Sequence, residues 1–326
     1  MKALLLKDKN LWREMKVEEI KIPAPKEGEV LVKVHAAGLN PVDYKTATSG
    51  NPAWTYPHIL GLDVAGTIEE VGEGVTAWKI GDRVVYHSDF RKRGGFAEYG
   101  MTTAHTISRI PDSVSFEDAA ALPTAGYTAY QALFRKLPME HIHTILIQGG
   151  AGGVGGFGVQ LAKNAGKTVI STASVHNHDY VRSLGADYVI DYKNEDVKAK
   201  VMDITNGRGV DAVLDTVSRE SATRSLDLIA YGGHLAHIAG EPDYTHIKSF
   251  TKVISYHEVA LNANHHQNDI TAEKDLAKIG DELLQLVAQG KVSSLLERTI
   301  SLEDVPQALA DISERHVKGK IVAKLV

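Results

Sequence analysis

The sequence predicts an α/β fold in which a doubly wound parallel sheet is joined to a mainly β domain. Two textures and one motif carry this reading. Over the first third, short β-like runs are separated by glycine-rich turns. From Thr144 onward, apolar strands alternate with helices, the pattern of parallel βαβ units. The first strand of that series runs directly into Gly149-Gly150-Ala151-Gly152-Gly153-Val154-Gly155. With 326 residues the chain exceeds one ordinary core, so two domains are expected.

Met1–Lys7 is too short for a signal-peptide core and reads as a first strand. Val30, Val32 and Val34 alternate with Leu31, Lys33 and His35, the two-residue period of a half-buried strand. Further runs at Val64–Val71, Arg83–Tyr86 and Phe96–Met101 are separated by turns such as Gly72-Glu73-Gly74 and Gly81-Asp82, which suggests a compact barrel-like domain. Ser115 is placed to cap a helix, and an alanine-rich helical stretch extends to about Lys136. The alternating series then reads strand Ile145–Gln148, helix to Asn164, strand Thr168–Thr172, helix Asp179–Leu184 and strand Tyr188–Ile190. It continues with helix Asp196–Thr205, strand Val210–Thr216, helix Ser221–Ala230 and strand His234–Ile238. A polar loop follows Asn262. Amphipathic helices are expected at Ala272–Gln289, stopped by Gly290, and at Leu302–Glu314, with Ser301 and Asp304 at capping-box spacing. Strand Lys320–Leu325 closes the chain.

Apolar residues make up 43% and charged residues 24%, ordinary values for a globular protein. The net charge of −5 argues against a nucleic-acid partner, and Arg91-Lys92-Arg93 reads as a solvated loop. No apolar window is long enough for a membrane span, so the cytoplasm is the expected location. There is no cysteine, which excludes disulfides, thiolate nucleophiles and every Cys-containing zinc site.

Gly150, Gly152 and Gly155 form a full G-x-G-x-x-G between an apolar strand and a helix. Glycines there let the backbone approach a pyrophosphate, whose charge is favoured at the helix N-terminus. This is the dinucleotide loop of a Rossmann domain, with Gly153 and Val154 inside it. An NAD site usually offers an acidic residue about 20 positions on. Here Ser171-Thr172-Ala173-Ser174 occupies the second strand's end, and the first acid is Asp179. Hydroxyls without an acid accommodate a 2′-phosphate, so NADPH is the expected cofactor. His176 and His178 follow, readable as phosphate partners or as exposed residues at a helix start.

The chain resembles the medium-chain dehydrogenase/reductase superfamily, in its zinc-free quinone oxidoreductase and enone reductase branch. The matching residues are Gly38–Lys45, Gly61-Leu62-Asp63-Val64-Ala65-Gly66, Val71-Gly72, Gly81-Asp82-Arg83-Val84 and Gly94-Gly95-Phe96-Ala97-Glu98-Tyr99. Ala121-Leu122-Pro123 with Thr128, the glycine loop, Leu184-Gly185-Ala186-Asp187 and Gly319-Lys320-Ile321-Val322 complete the series. The resemblance implies a GroES-like catalytic domain from residues 1–120 and 262–326, around a Rossmann domain at 121–261. It also implies a homodimer. The zinc-dependent branch has Gly-His-Glu where this chain has Gly61-Leu62-Asp63, and Leu62 cannot ligate a metal; no metal site is expected.

Without a metal, the chemistry expected is hydride delivery to an already electrophilic carbon, in a quinone or an α,β-unsaturated carbonyl. The resemblance places Asn40, Tyr44 and Lys45 beside nicotinamide and substrate. Asn40 reads as structural or as a substrate hydrogen-bonding group, Tyr44 as a site residue or as packing. Lys45 is the better donor, to the nicotinamide ribose or the substrate oxygen. Many quinone reductases carry tyrosine at the position of Lys45, which brings this chain closer to the enone reductases. By the same resemblance, Thr128 lies near the carboxamide, and Thr172, Ser174 and Tyr192 near the adenosine end. Asp215, Thr216, Val217, Ile238, Ala239 and Gly240 end strands beneath the cofactor, and Asn262, Lys318 and Gly319 come from the returning segment. The competing readings are a metal-free alcohol or aldehyde reductase and a low-turnover NADPH-binding scaffold or sensor.

Overall fold

In a computed structural model that describes every residue except Asn268, His316 and Val326, the chain divides into two compact units. One is Met1–Tyr127 with Asn262–Val326, the other Thr128–Leu261. No helix among the described residues is long and apolar enough to cross a membrane.

The first unit opens with an antiparallel pair, β1 (Lys2–Leu5) and β2 (Lys16–Glu19). The long β3 (Glu29–Gly38) follows, then helix α1 (Pro41–Ser49), β4 (Asp63–Val71), β5 (Arg83–His87), β6 (Tyr99–Thr103) and β7 (Ser108–Arg109). Val30, Val32 and Val34 are buried while Lys33 and His35 are half-exposed, but Leu31 is buried as well, so the expected alternation holds only over the middle of the strand. Their core also takes in Leu4, Leu6, Trp12, Phe96 and Leu309. Ser115 caps α2 (Phe116–Ala120) by accepting the Asp118 N–H. The expected helix to Lys136 is not one regular element. Two wider i→i+5 segments, Pro123–Tyr127 and Ala132–Lys136, flank the short α3 (Thr128–Gln131).

The second unit is a parallel sheet. Its elements are β8 (Thr144–Gln148), α4 (Gly153–Asn164), β9 (Thr168–Ala173), α5 (His178–Ser183), β10 (Tyr188–Asp191), α6 (Val197–Ile204), β11 (Val210–Asp215), α7 (Arg219–Ser225), β12 (Ile229–His237) and β13 (Ser255–Glu258). The strand order is β10-β9-β8-β11-β12-β13, so the direction of winding reverses between β8 and β11. Counted from β8 this is the Rossmann order 3-2-1-4-5-6. Leu146, Ile170, Val213, Leu226 and Leu235 pack on one of its faces. Two expectations are corrected here. Helix α7 ends at Ser225, and one 3-10 turn leads into β12 at Ile229, well before His234. Strand β13 was not expected, because an edge strand reading Ser-Tyr-His-Glu has no apolar face to reveal it.

The chain then returns to the first unit with α8 (Ile270–Ala288), β14 (Leu296–Ile300), α9 (Val305–Ser313) and β15 (Lys320–Lys324). Gly290, at φ +67°, follows the end of α8 in the left-handed region that glycine tolerates. β15 pairs with β3, and β14, a second unexpected edge strand, pairs with β15. The mainly antiparallel sheet runs β14-β15-β3-β4-β5-β7, with β6 on β3.

Candidate functional site

In the second unit, the glycine loop bridges β8 and α4 at the point where strand order reverses. Gly149 takes φ +78°, and its N–H donates to Thr172 Oγ1 at 3.1 Å; Gly150 N–H donates to Thr172 O at 3.0 Å. A side chain on Gly150 would collide with the Ser171 hydroxyl, and one on Gly155 with the Gly149 carbonyl. Gly152 differs. It is the N-cap of α4 at φ −80°, and a Cβ there would meet only Gly149 O at 3.5 Å. The amides of Gly153, Val154 and Gly155 have no acceptor within the helix and carry its positive end. The loop is therefore rigid, donor-rich and open at Gly152, which suits a pyrophosphate.

Beneath it lies a buried polar row at the C-terminal ends of the strands. Thr172 Oγ1 donates to Gln148 Oε1 at 2.7 Å, and Gln148 Nε2 to Ser225 Oγ at 3.1 Å. Asp215 accepts from the Ser221 hydroxyl at 2.6 Å and from the Val217 N–H at 3.0 Å, and burial pushes its carboxyl up. Thr216 Oγ1 donates to Gln148 O at 2.7 Å. Thr172, Asp215 and Thr216 thus support the loop. His237, opposite Asp215 in the sheet, is buried with Nε2 unpartnered among the described residues. Val217 and Ala239 are exposed, while Ile238 and Gly240 are half-buried. At the end of β9, Ser174 Oγ lies 3.2 Å from His176 Nε2 and 3.5 Å from Asn177 Nδ2, a grouping the sequence reading did not make. Tyr192 is exposed after β10, and Thr128 is buried at the start of α3. The cradle at Gly152 and the orphaned His237 nitrogen both fit a dinucleotide.

In the first unit, Asn40 is the N-cap of α1, with Pro41 at the first helical position. Its side chain is committed to the interior. Asn40 Nδ2 donates to Asp63 Oδ2 at 2.8 Å, and its Oδ1 accepts from the ammonium of Lys320. Of Asn40's two readings the geometry carries the structural one. Lys320 is only 3% exposed and also donates to Leu39 O at 3.0 Å and Asp63 Oδ2 at 3.3 Å. Asp63 Oδ1 accepts the Thr124 N–H at 2.8 Å, and Asp43 accepts the Asn40 N–H at 2.8 Å. Burial first, then the neighbouring Asp63 charge, raises the Asp43 carboxyl to about 7. Asp43, Asp63 and Lys320 were given no role from sequence. The available signal was a lysine opening an otherwise apolar strand, which needs a buried partner.

Tyr44 packs against Trp12, with ring centroids 5.7 Å apart, and belongs to the core edge. Lys45 is exposed. Beside them Val42, Thr46, Trp54, Leu60, Leu62 and Phe90 line a narrow crevice with a free volume of about 10 Å³. Asn262 accepts the Phe90 N–H at 3.4 Å and contacts His266 Nε2 at 2.9 Å. Lys318 and Gly319 lie in the turn before β15, with Gly319 at φ +62°. A larger recess of about 430 Å³, beside Met15, Val17 and Glu303, holds none of these groups.

Two families match the chain: the alcohol dehydrogenase GroES-like domain over residues 26–112 and the zinc-binding dehydrogenase family over 184–322. The second name raises the question of zinc, which the donor set does not fit. Leu62 stands in place of a ligand, and the facing oxygens of Asn40 and Asp63 are bonded to the Lys320 ammonium. Among the described residues no three His, Cys, Asp or Glu side chains group to hold a metal. A trans-enoyl reductase of Alternaria alternata is 33% identical, covering 96% of each chain. A quinone oxidoreductase of Sus scrofa is 30% identical over 94% of this chain and 92% of its own. Among solved structures, the quinone oxidoreductase of Coxiella burnetii superposes with a TM-score of 0.84 at 30% identity, covering 100% of this chain and 99% of its own. An alcohol dehydrogenase superfamily protein from Novosphingobium aromaticivorans reaches 0.91 at 28%, with full coverage of both. With its Rossmann sheet, GroES-like unit and full-length relatives of this kind, the chain belongs to the medium-chain dehydrogenase/reductase superfamily, in its quinone oxidoreductase branch.

Proposed function

We propose that this oxidoreductase is NADPH-dependent and zinc-independent, and that it reduces quinones or α,β-unsaturated carbonyls. The observation that carries the reading is the Lys320 ammonium on Asn40 and Asp63 beside Leu62, which leaves no ligand set for a Lewis acid. Bound NADPH supplies the hydride. The chain's residues then have two tasks. Gly152 and the first amides of α4 bind the pyrophosphate, and the apolar wall of Val42, Trp54, Leu62 and Phe90 receives the substrate's body and excludes water. Lys45 is the donor to the oxygen that gains charge. Substrates whose charge delocalises onto that oxygen need no metal.

A side-by-side panel tests this: NADPH consumption with a quinone, an enone and a saturated aldehyde, before and after dialysis against a chelator. Turnover of the first two, unchanged by chelation and without stoichiometric zinc in the protein, is expected. Activity on the aldehyde alone, or loss on chelation restored by zinc, overturns it.

The preference for NADPH rests on Ser174, His176 and Asn177, a cluster with donors and no carboxylate. Ser174→Asp places a negative charge there. NADPH affinity should fall on the order of tenfold, the scale of one close like-charge contact, with NADH much less affected. Tighter binding of NADH than NADPH by the unaltered protein contradicts this assignment.

A further inference from the structure

The buried charges beside α1 have no part in the chemistry above, yet they are expensive. A lysine and two carboxylates, each no more than 3% exposed, are held together against their desolvation. Strands β4 and β15 contribute Asp63 and Lys320, and α1 contributes Asp43. Apart from the bonds of Asp63 to Thr124, most of their bonds converge on Leu39 and Asn40. Lys320 holds the Leu39 carbonyl and the Asn40 amide oxygen, Asp63 holds the Asn40 amide nitrogen, and Asp43 holds the Asn40 N–H. Gly61 N–H also bonds Asp43. The network therefore fixes the first turn of α1, on which Lys45 stands.

We propose that Lys320, Asp63 and Asp43 are positioning residues for the Asn40–Lys45 segment, and that the proton on Asp43 sets how firmly the segment is held. This rests on the reading that the segment serves the reacting centre. Ionised Asp43 is the stronger acceptor for the Asn40 and Gly61 N–H groups and tightens the cap. Protonated, it balances the charge count, because Asp63 and Lys320 then form a neutral pair. The Asp43 carboxyl, raised to about 7, changes between these forms near neutrality. The other titratable groups in reach are His58 and Lys92, which line the crevice beside Asp43, His87 near Lys320, and Tyr127 near Asp63. Burial, with Arg93 adding to the effect, depresses His58 to about 4. Burial likewise depresses His87 to about 3 and pushes the Tyr127 hydroxyl well up, so none of these three changes charge near neutrality.

The test compares the unaltered protein with Lys320→Met and Asp43→Asn, using NADPH and trans-2-hexenal as the enone. In the unaltered protein kcat/KM should rise through an ionisation near neutral pH. Lys320→Met should lower kcat/KM on the order of tenfold, the scale of a lost charge-assisted hydrogen bond. It should also move the rise upward by about one pH unit or more, since the carboxylate loses its cation. Asp43→Asn should abolish the rise. Hydrogen exchange at the Leu39–Lys45 amides should quicken in Lys320→Met while NADPH affinity stays within a factor of about two. Superimposable pH profiles in the three proteins, or unchanged exchange in the segment, overturn the proposal. If Lys320→Met does not fold, Asp43→Asn keeps the volume and carries the pH test alone. Failure of the underlying reading shows itself separately, as unaltered kinetics in Lys45→Met.

Discussion

Gly152→Val should weaken NADPH binding about a hundredfold or more, equivalent to about 2.7 kcal/mol, while the protein stays folded. The position allows a side chain: φ is −80°, and an added Cβ meets nothing nearer than the Gly149 carbonyl at 3.5 Å. A valine there costs the helix a preferred N-cap, worth about 1 kcal/mol. What its methyl groups fill is the space in which a pyrophosphate must approach the amides of Gly153, Val154 and Gly155. Gly150 and Gly155 are the wrong places to ask this question. Their missing side chains make room for Ser171 and the Gly149 carbonyl, so substitutions there test folding first. Fluorescence titration with NADPH, alongside a thermal melt, decides the outcome. A folded Gly152→Val with unaltered affinity places the dinucleotide elsewhere.

Lys45→Met should lower kcat and kcat/KM for an enone together, by on the order of 10–1,000-fold, the range for one donor lost from developing charge. The side chain is exposed on α1, outside the Asn40–Asp63–Lys320 network, so stability should hardly change. Methionine keeps most of the stem and removes the charge and all three donors. A second result has a different meaning. If NADPH affinity falls and kcat at saturation persists, Lys45 holds the nicotinamide ribose. Values equal to the unaltered protein's in every constant return it to the solvated surface and leave rate enhancement to positioning.

The parallel sheet was legible because each strand is an apolar run and each helix has its own start and stop residues. Ser115 and Gly290 take the capping and terminating places that their chemistry predicts, whereas the expected cap at Ser301 is not formed: α9 starts at Val305, directly after Asp304. Edge strands β13 and β14 were not legible. Their exposed faces carry Glu258, Glu297 and Arg298, and backbone pairing with a neighbour holds them rather than an apolar pattern. The helical stretch after Ser115 was legible as helical. Its i→i+5 segments were not, because they depend on how the stretch packs.

The nucleotide loop was determined by sequence alone, since the steric demands of a tight turn and a close phosphate act within eight consecutive residues. The expectation of zinc-free chemistry also came from the sequence, from Leu62 and the missing cysteines. Which residues stand behind Asn40 was decided only by the tertiary structure. Asp63 lies 23 positions away and Lys320 280 positions away, and they meet Asn40 because β15 pairs with β3 and β3 with β4. Strand register of that kind is fixed by the whole sheet. A buried lysine is affordable only where the fold has already brought its carboxylates to the same place.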